Sequence, residues 1–361
     1  MSKPVVLRLG GVKYAQKAWE ELGKIAQVVT VDPSTTRAQF LKQCQDPESP
    51  ISKTQIITRN VQSLKQTGRF DAELAKALPA SVVAVCHNGA GYDQIDPAPL
   101  IERKVQISNV PELVNNSTAD THVFLMLGAL RNFEHGRRLM YEGQWPSHPT
   151  AAGAPVGHDP EGKVVGVLGL GGIGRAIVER LKPFGFKKFI YHNRNKLPSD
   201  LENGCEYVSF DELLSQSDVI SINIPLNPKT RHIINKEAIE KMKDGVVIVN
   251  TARGAVIDEA ALIEALKSGK VRSAGFDVYE HEPQVPQELL DLPNAIGVPH
   301  MGTHSVETIQ KMEEFVVENV RNIINTGKVL TPIPELKGET WIEDAKPLVL
   351  SLIHISEPTR H

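Results

Sequence analysis

The stretch VVGVLGLGGIG spans residues 164–174 and holds Gly169, Gly171 and Gly174 in the spacing G-x-G-x-x-G. It starts as an apolar run typical of a strand and continues into a segment with helical periodicity. In that context the first glycine permits a tight strand-to-helix turn, and the second lets backbone approach a pyrophosphate. The third lets the helix pack closely on its strand, and free N–H groups at the helix start face the anion. The stretch therefore predicts a Rossmann-type domain that binds a dinucleotide.

Strand-like and helical runs alternate on both sides of this stretch, which predicts an α/β fold with parallel sheets. Strands are expected at PVVLRL (4–9), QVVTV (27–31), TQIIT (54–58), SVVAV (81–85), VVGVL (164–168), KFIY (188–191), VISIN (219–223), VVIVN (246–250) and SAGFDV (273–278). Asp258 is placed to cap a helix that ends before Gly269, and Gly327 is placed to end the last long helix.

The mid-chain position of the glycine stretch implies that the sheet before it belongs to a separate domain. We expect a substrate domain built from residues 1–117 and 308–350, with a nucleotide-binding domain at residues 118–307 inserted into it. A terminal helix that returns to the first domain would create a cleft, and small substrates usually bind in such clefts. The tail SLIHISEPTRH, residues 351–361, shares no periodicity with the preceding chain and is expected to be a non-native extension.

Composition places the chain among ordinary globular proteins. The 361 residues are 41% hydrophobic and 23% charged, and a net charge of −3 gives no polybasic surface for nucleic acid. Cys44, Cys86 and Cys205 lie far apart and form no CxxC pair, which favours free thiols in a reducing compartment. No segment has the length of a membrane span or the pattern of a signal peptide. We therefore expect a cytoplasmic protein, with a mitochondrial or nuclear pool as the alternatives.

The strand after the glycine stretch bears on which dinucleotide binds. An NAD site places Asp or Glu about 20 residues beyond the glycines, where the carboxylate accepts from the ribose 2′-hydroxyl. The sequence there is YHNRN, so Asn193 and Arg194 stand where an acid would be expected. A guanidinium can bind a 2′-phosphate, whereas a carboxylate would repel it. This favours NADP(H) with NAD(H) as the alternative, unless Arg194 is an ordinary surface arginine.

Three later loops carry residues suited to the reduction of a 2-oxo acid. That reaction needs a cation for the carboxylate, a proton donor for the carbonyl and a group that keeps the donor protonated. Arg253, Glu282 and His300 are candidates, in loops expected at the ends of strands of the nucleotide-binding domain. Ligands of open α/β sheets bind at the carboxyl ends of the strands, so these loops could converge on one site. Taken singly, each is more often a solvated or structural side chain. Their occurrence together with the glycine stretch favours an active site.

Two other features have plainer interpretations. His300 and His304 are four residues apart and could hold a metal on a helix, but no HExxH motif or cysteine pair accompanies them, so no metal is expected. The apolar stripe VFLMLGALRN, residues 123–132, is expected to be core or a dimer interface.

The ordered series GLGGIG, VNTARGAVIDE, GFDVYEHEP and PHMGTHSVET resembles the D-isomer-specific 2-hydroxyacid dehydrogenase family, and within it the fungal glyoxylate and hydroxypyruvate reductases. The stretches AVCHNGAGYDQID, NSTADTHVFLMLGALRNF and KMKDGVVIVNTARGAVIDEAAL extend the resemblance over residues 4–350. It implies a Rossmann-type domain inserted into a flavodoxin-like substrate domain. It also implies NAD(P)H-dependent reduction of glyoxylate to glycolate, with hydroxypyruvate or another small 2-oxo acid as alternatives.

The resemblance implies a role for each candidate residue. His300 would donate the proton, Glu282 would keep it charged, and Arg253 would bind the substrate carboxylate. The N–H groups of Ala90 and Gly91 would hold that carboxylate from the other domain. The implied cofactor positions are Gly169, Gly171, Gly172, Ile173, Gly174, Asn193, Arg194, Ile224, Pro225, Thr251, Ala252, Asp277 and Gly302. The family also implies a homodimer, and its related transcriptional corepressors offer a rival reading as a dinucleotide-sensing binding protein.

Overall fold

A computed structural model describes residues 3–349, so the tail at residues 351–361 lies outside the described part. The chain divides into two compact units. We call the first the split unit, whose described residues are 3–113 and 305–349. The second, Val114–His304, is the central unit.

The split unit contains a sheet of five parallel strands. The strands are β1 (Val5–Leu9), β2 (Gln27–Thr30), β3 (Ile56–Arg59), β4 (Ala84–His87) and β5 (Gln106–Ser108). Their order in the sheet is β2-β1-β3-β4-β5. This is the flavodoxin-like order, in which the direction of crossover reverses between β1 and β3.

Helices join these strands, as right-handed parallel connections require. They are α1 (Gln16–Gly23), α2 (Arg37–Gln45), α3 (Leu64–Thr67), α4 (Ala72–Ala77) and α5 (Pro97–Glu102). A capping box at Thr36 starts α2, since the Thr36 hydroxyl and the Gln39 side chain each satisfy the other's backbone N–H. The core packs strand residues against helix residues, among them Leu7, Ile57, Val85, Phe40, Leu74 and Leu100.

The central unit begins with two helices, α6 (Asn115–Leu130) and α7 (Phe133–Tyr141). Its seven parallel strands are β6 (Val164–Leu168), β7 (Lys188–His192), β8 (Glu206–Tyr207), β9 (Val219–Ile222), β10 (Val246–Asn250), β11 (Val271–Phe276) and β12 (Ala295–Gly297). The order β12-β11-β10-β9-β6-β7-β8 is that of a Rossmann sheet, with its switch point between β6 and β9. The expected α/β class with a Rossmann-type domain is confirmed.

Further helices cover this sheet. They are α8 (Gly172–Leu181), α9 (Phe210–Gln216), α10 (Lys236–Glu240), α11 (Glu259–Ser268) and α12 (Gln287–Asp291). Alternate residues of β6 enter different core clusters, with Val164 and Leu168 in one and Val165 and Val167 in the other. Because strand side chains alternate between faces, both faces of the sheet are buried. This explains why its strands read as continuous apolar runs.

The last helix, α13 (Val306–Thr326), belongs to the split unit. Ser305 caps its start by accepting from the Thr308 N–H, and Gly327 ends it with φ of 79°. Asp258 likewise caps α11, which Gly269 ends. The stop and start signals read from the sequence therefore hold at these positions.

Several expected strand ends shift by one or two residues, among them 54–58, observed at Ile56–Arg59, and 273–278, observed at Val271–Phe276. Three further differences have a physical reason. The strand expected at 81–85 begins at Ala84, because the Val82 N–H donates to Pro79 in a turn instead of to a neighbouring strand. The expected boundary at 117/118 lies inside α6, which starts at Asn115 and continues as one helix. The second change of unit comes after His304 instead of residue 307, since Ser305 already caps α13.

Candidate active site

The glycine loop joins β6 to α8 in the manner that its motif requires. Gly169 has φ of 98°, a conformation that L side chains rarely adopt. A Cβ added at Gly174 would lie 2.4 Å from the Gly169 carbonyl oxygen, so helix and loop pack too closely for a side chain. By contrast, a Cβ at Gly171 would have no atom within 4 Å. The middle glycine therefore borders open space.

That open space has the properties of an anion site. The N–H groups of Gly171, Gly172 and Ile173 at the start of α8 donate to no described residue. Free N–H groups and the positive end of the helix dipole favour a phosphate at this position. The residues present therefore fit the pyrophosphate of a dinucleotide.

The strand next to β6 supplies Asn193 and Arg194. The Asn193 side-chain oxygen accepts from the Leu170 N–H at 2.8 Å, so this residue fixes the glycine loop. Arg194 is exposed two residues after the end of β7, and no described residue pairs with it. On the other side of β6, Ile224 and Pro225 follow β9, and a Cβ at Gly169 would lie 2.9 Å from Ile224 Cγ2. These residues surround the glycine loop at the carboxyl edge of the sheet.

The turn after β10 presents Thr251, Ala252 and Arg253. It is held by the buried Asn250, whose Oδ1 accepts from the Ala252 N–H at 3.0 Å and whose Nδ2 donates to the Arg253 carbonyl at 2.9 Å. Arg253 also donates from Nη1 to the Ala252 carbonyl at 2.7 Å. The Asn250 side chain thus sets the backbone from which the Arg253 guanidinium extends.

Gly254 brings this turn against the loop that follows β11. A Cβ at position 254 would lie 1.9 Å from the Tyr279 carbonyl carbon and 2.4 Å from the Glu280 nitrogen. Only glycine permits two backbones to approach this closely. The turn that carries Arg253 therefore packs directly against the loop that leads to Glu282.

Glu282 and His300 form an ion pair. His300 Nδ1 lies 2.7 Å from Glu282 Oε2, and Glu282 Oε1 accepts from the Tyr279 N–H at 3.0 Å. This hydrogen bond raises the pKa of His300, against the opposing effects of burial and of the Arg253 charge. Desolvation would raise the pKa of Glu282, but the hydrogen bond and charge of His300, the Tyr279 N–H and the Arg253 charge together lower it. The structure therefore brings the three predicted catalytic residues to one edge of the sheet.

Asp277 fixes the loop that carries His300. Its carboxylate is buried and accepts from the Met301 N–H and, at 2.8 Å, from the Gly302 N–H. The Asp277 carbonyl accepts from the His300 N–H at 2.8 Å, and His300 has φ of 52°. Burial raises the pKa of the Asp277 carboxyl, against the bonds from these N–H groups. Two positions predicted to touch the cofactor, 277 and 302, are thus engaged with each other.

His122 of α6 is a functional candidate that the sequence analysis missed. It is fully buried, with Nδ1 2.8 Å from Thr251 Oγ1 and Nε2 2.8 Å from Ser221 Oγ. Asn223 Nδ2 also donates to Ser221 Oγ at 2.9 Å. A histidine directly before an apolar helical stripe was the available signal, but nothing in the chain order links it to Thr251. Burial lowers the pKa of His122 to about 3, so the ring is neutral.

The predicted carboxylate-binding residues of the split unit follow β4. The N–H groups of Ala90 and Gly91 donate to no described residue, whereas the carbonyl oxygens of both accept hydrogen bonds. The loop therefore presents free donors, as an anion site requires.

The remaining sequence features have these outcomes. Half of the stripe at residues 123–132 is core, since Leu125, Met126, Gly128, Ala129 and Leu130 are buried. Among residues 3–349, no cluster of three or more His, Cys, Asp or Glu side chains is arranged to hold a metal ion. None of the helices in that range combines the length and apolar character needed to cross a membrane.

Comparison with known proteins agrees with this geometry. Residues 123–302 match the family model described as D-isomer specific 2-hydroxyacid dehydrogenase, NAD binding domain. The chain is 63% identical to glyoxylate reductase 1 of Saccharomyces cerevisiae, over 96% of this chain and 99% of the relative. A crystal structure of a glyoxylate reductase from Paecilomyces thermophila superposes with a TM-score of 0.89 at 49% identity, covering 93% of this chain and 100% of that one.

A less similar solved structure contains bound ligands. It is an NADPH-dependent glyoxylate/hydroxypyruvate reductase of Sinorhizobium meliloti in complex with NADP and malonate. Its TM-score is 0.78 at 28% identity, over 92% of this chain and 98% of that one. The match to the family model, the identity to the yeast relative and the arrangement of Arg253, Glu282 and His300 agree. The chain belongs to the D-isomer specific 2-hydroxyacid dehydrogenase family.

Proposed function

We propose that this protein reduces glyoxylate to glycolate, with hydroxypyruvate and other small 2-oxo acids as further substrates. The observation that carries the proposal is the ion pair of Glu282 and His300 at the sheet edge that also bears Arg253 and the glycine loop. The names of the yeast and Paecilomyces relatives support glyoxylate as the first substrate.

Each residue has a distinct task in this proposal. Arg253 binds the substrate carboxylate and polarises the neighbouring carbonyl. His300 gives its proton to the carbonyl oxygen from Nε2, because Nδ1–H is already committed to Glu282. Glu282 keeps the ring charged and oriented. The bound reduced nicotinamide supplies the hydride that the carbonyl carbon receives.

The dinucleotide would be held by the glycine loop and its neighbours. The N–H groups of Gly171, Gly172 and Ile173 would bind the pyrophosphate, with Gly169 and Gly174 shaping the turn. The other proposed contacts are Asn193, Arg194, Ile224, Pro225, Thr251, Ala252, Asp277 and Gly302. In the split unit, the free N–H groups of Ala90 and Gly91 would bind the substrate carboxylate.

Steady-state turnover tests the proposal. Purified protein is expected to oxidise NADPH or NADH when glyoxylate is added, and glycolate should accumulate in equal amount. A panel of glyoxylate, hydroxypyruvate, pyruvate and a branched oxo acid then ranks the substrates by kcat/KM. If none is turned over with either cofactor, the enzyme assignment fails. Dinucleotide binding without turnover would instead identify a sensor protein.

We further propose that NADP(H) is preferred over NAD(H). Arg194 is exposed beyond β7 without a described partner, and no acidic residue stands at that strand end. The NADPH dependence stated for the Sinorhizobium reductase supports the proposal. Arg194→Ala is expected to lower kcat/KM for NADPH about tenfold or more, as loss of a charge-assisted bond predicts, with kcat/KM for NADH little changed. An unchanged ratio between the cofactors would remove Arg194 from the site.

The same protein is proposed to form a homodimer. Exposed apolar side chains concentrate in one stretch of the central unit, namely Phe124, Phe133, Met140, Tyr141, Trp145 and Val156. Such a concentration is typical of a protein interface. Light scattering after size exclusion should give twice the chain mass, and Phe133→Glu with Tyr141→Glu should halve it. Leu201→Glu, an exposed apolar residue elsewhere in the unit, is the matched control.

A cytoplasmic location is proposed from the cysteines. Cys44, Cys86 and Cys205 are all buried free thiols, which a reducing compartment preserves. Fluorescence microscopy of a tagged chain tests this, and a mitochondrial or nuclear signal would contradict it.

A further inference from the structure

The loop after β4 is anchored through three successive peptide carbonyls. Those of Gly89, Ala90 and Gly91 accept from the Val110 N–H at 2.9 Å, from Asn109 Nδ2 at 2.7 Å and from His87 Nε2 at 2.9 Å. One backbone donor and two side-chain donors thus bind the carbonyls of one short turn.

Anchoring a carbonyl also fixes the direction of an N–H. In a planar trans peptide, the carbonyl of one residue and the N–H of the next point in opposite directions. Each bond therefore turns one N–H away from its own donor. Val110 fixes the Ala90 N–H in this way, Asn109 the Gly91 N–H, and His87 the Tyr92 N–H. All three N–H groups donate to no described residue. The loop is built to present them.

His87 is held in one protonation state by its two neighbours. Its Nε2 faces the Gly91 carbonyl, which can only accept, and its Nδ1 lies 3.3 Å from Arg59 Nη1, which can only donate. The ring therefore carries its proton on Nε2 and accepts at Nδ1. His87 is buried, with 4% of its surface exposed. It transmits the position of Arg59 to the Gly91 peptide.

Arg59 is a rigid support for the His87 ring. The side chain is 1% exposed and lies over the Phe70 ring, with its guanidinium 5.4 Å from the ring centroid. Its other donors bond to Ser63 Oγ at 3.2 Å and to Gln94 Oε1 at 2.9 Å. Burial lowers the pKa of Arg59 to about 10, so the guanidinium stays charged near neutral pH. A buried cation with this many partners has little freedom to move.

We propose that His87, held by Arg59, is a positioning residue that fixes the Gly91–Tyr92 peptide and so holds the end of the turn whose N–H groups bind the substrate carboxylate. The inference rests on the proposed function, in which that loop binds the carboxylate. Removing the ring leaves the Gly91 peptide free to rotate, so that substrate binding weakens while the cofactor site in the central unit is unchanged.

Two substitutions at His87 separate this role from general packing. His87→Leu removes both hydrogen bonds, whereas His87→Gln retains an amide donor for Gly91 and an acceptor for Arg59. His87→Leu is expected to raise KM for glyoxylate about tenfold or more, as the loss of about 1.4 kcal/mol predicts. KM for the cofactor should stay within about twofold. His87→Gln should recover most of the loss.

Gln106→Leu is the matched control. Gln106 is also a buried polar residue of this sheet, and it bonds to the Gly327 carbonyl and the Val329 N–H at 2.6 and 3.1 Å, away from the loop. It should lower Tm without changing KM for glyoxylate. If His87→Leu does not fold, Asn109→Leu, which frees the Ala90 carbonyl, takes its place and should give the same rise in KM.

Inhibition by oxamate gives a readout that does not depend on turnover chemistry, because oxamate is an unreactive isostere of a 2-oxo acid. Its Ki should rise in parallel with KM in His87→Leu. Equal KM and Ki in His87→Leu and Gln106→Leu would overturn the positioning role while leaving the proposed function intact. Absence of turnover in the wild type would overturn the proposed function itself.

Discussion

His300 Nδ1 lies 2.7 Å from Glu282 Oε2, although 18 residues separate the two in the chain. The contact joins the loops after β11 and β12, which are neighbours in the sheet. It leaves Nε2 as the nitrogen from which His300 can release a proton to a substrate. It also ties the charge on His300 to the ionised state of Glu282.

The pH dependence of turnover should report this pair. Reduction needs protonated His300, so kcat/KM for glyoxylate is expected to fall on the alkaline side as pH passes the raised pKa of His300. In Glu282→Gln the largest cause of that raise is gone, and the alkaline limb should move to lower pH. A pH–rate profile of both proteins measures this. Superimposable alkaline limbs would mean that another group controls the profile.

The same pair should contribute little to stability. His300 contributes fully below its ordinary pKa of 6.5 and loses the contribution as pH rises through its raised value, while Glu282 contributes above 4.5 and loses it as pH falls through its lowered value. The pair therefore stabilises the fold between these limits. Because 47% of the His300 side chain is exposed, we expect about 1 kcal/mol or less. Urea unfolding of Glu282→Gln at pH 6 checks this expectation.

His300→Ala should separate chemistry from binding. Loss of a general acid typically lowers kcat by about 10² to 10⁴. The dissociation constant for NADPH, measured by fluorescence, is expected to stay near the wild-type value, since no proposed cofactor contact is removed. A variant that loses NADPH binding together with turnover would argue against a role as proton donor.

Gly171→Ala should damage only the complex with cofactor. The added Cβ meets no protein atom within 4 Å, so Tm without cofactor should be unchanged. It would occupy the space assigned to the pyrophosphate, and KM for NADPH should rise about tenfold or more. Gly23→Ala is the control, because its Cβ is equally free and lies far from the loop in sequence. Unchanged KM in Gly171→Ala would place the pyrophosphate elsewhere.

His122 should make the fold sensitive to acid. The unfolded chain binds a proton at this residue near pH 6.5, whereas burial keeps the folded pKa at about 3. The free energy of unfolding should therefore fall by about 1.4 kcal/mol for each pH unit below 6.5 through this group. His122→Gln can still bond Thr251 and Ser221 but does not titrate. Urea titrations from pH 4 to 6 should show a shallower slope for the variant by about one proton.

Long elements could be predicted because their signals are local. The glycine stretch, the run at β10 and the Asp258 and Gly327 signals depend on neighbouring residues alone, and each was confirmed. The short strands β5, β8 and β12 have two or three residues and gave no such signal. They exist because an adjacent strand supplies hydrogen-bond partners, which is a property of the assembled sheet.

The candidate site likewise has residues that the sequence could indicate and others that it could not. Arg253, Glu282 and His300 were readable as residue types that follow strands, and the family pattern indicated their roles. The residues that hold these three side chains in place could not be predicted. Asn250 and His122 act through partners that chain order does not reveal, and a Cβ at Gly254 is excluded by a loop more than 20 residues away.

The sequence by itself determined the alternating elements, the dinucleotide motif and the residues able to bind a carboxylate and move a proton. These depend on local backbone preference and on chemical identity, which a linear chain carries in full. Only the tertiary structure decided that His300 lies 2.7 Å from Glu282 and that the Asp277 carboxylate binds the backbone of the His300 loop. It also decided that His87 lies between Arg59 and the Gly91 carbonyl. Hydrogen bonds act over about 3 Å, so they depend on which segments the sheet order brings together.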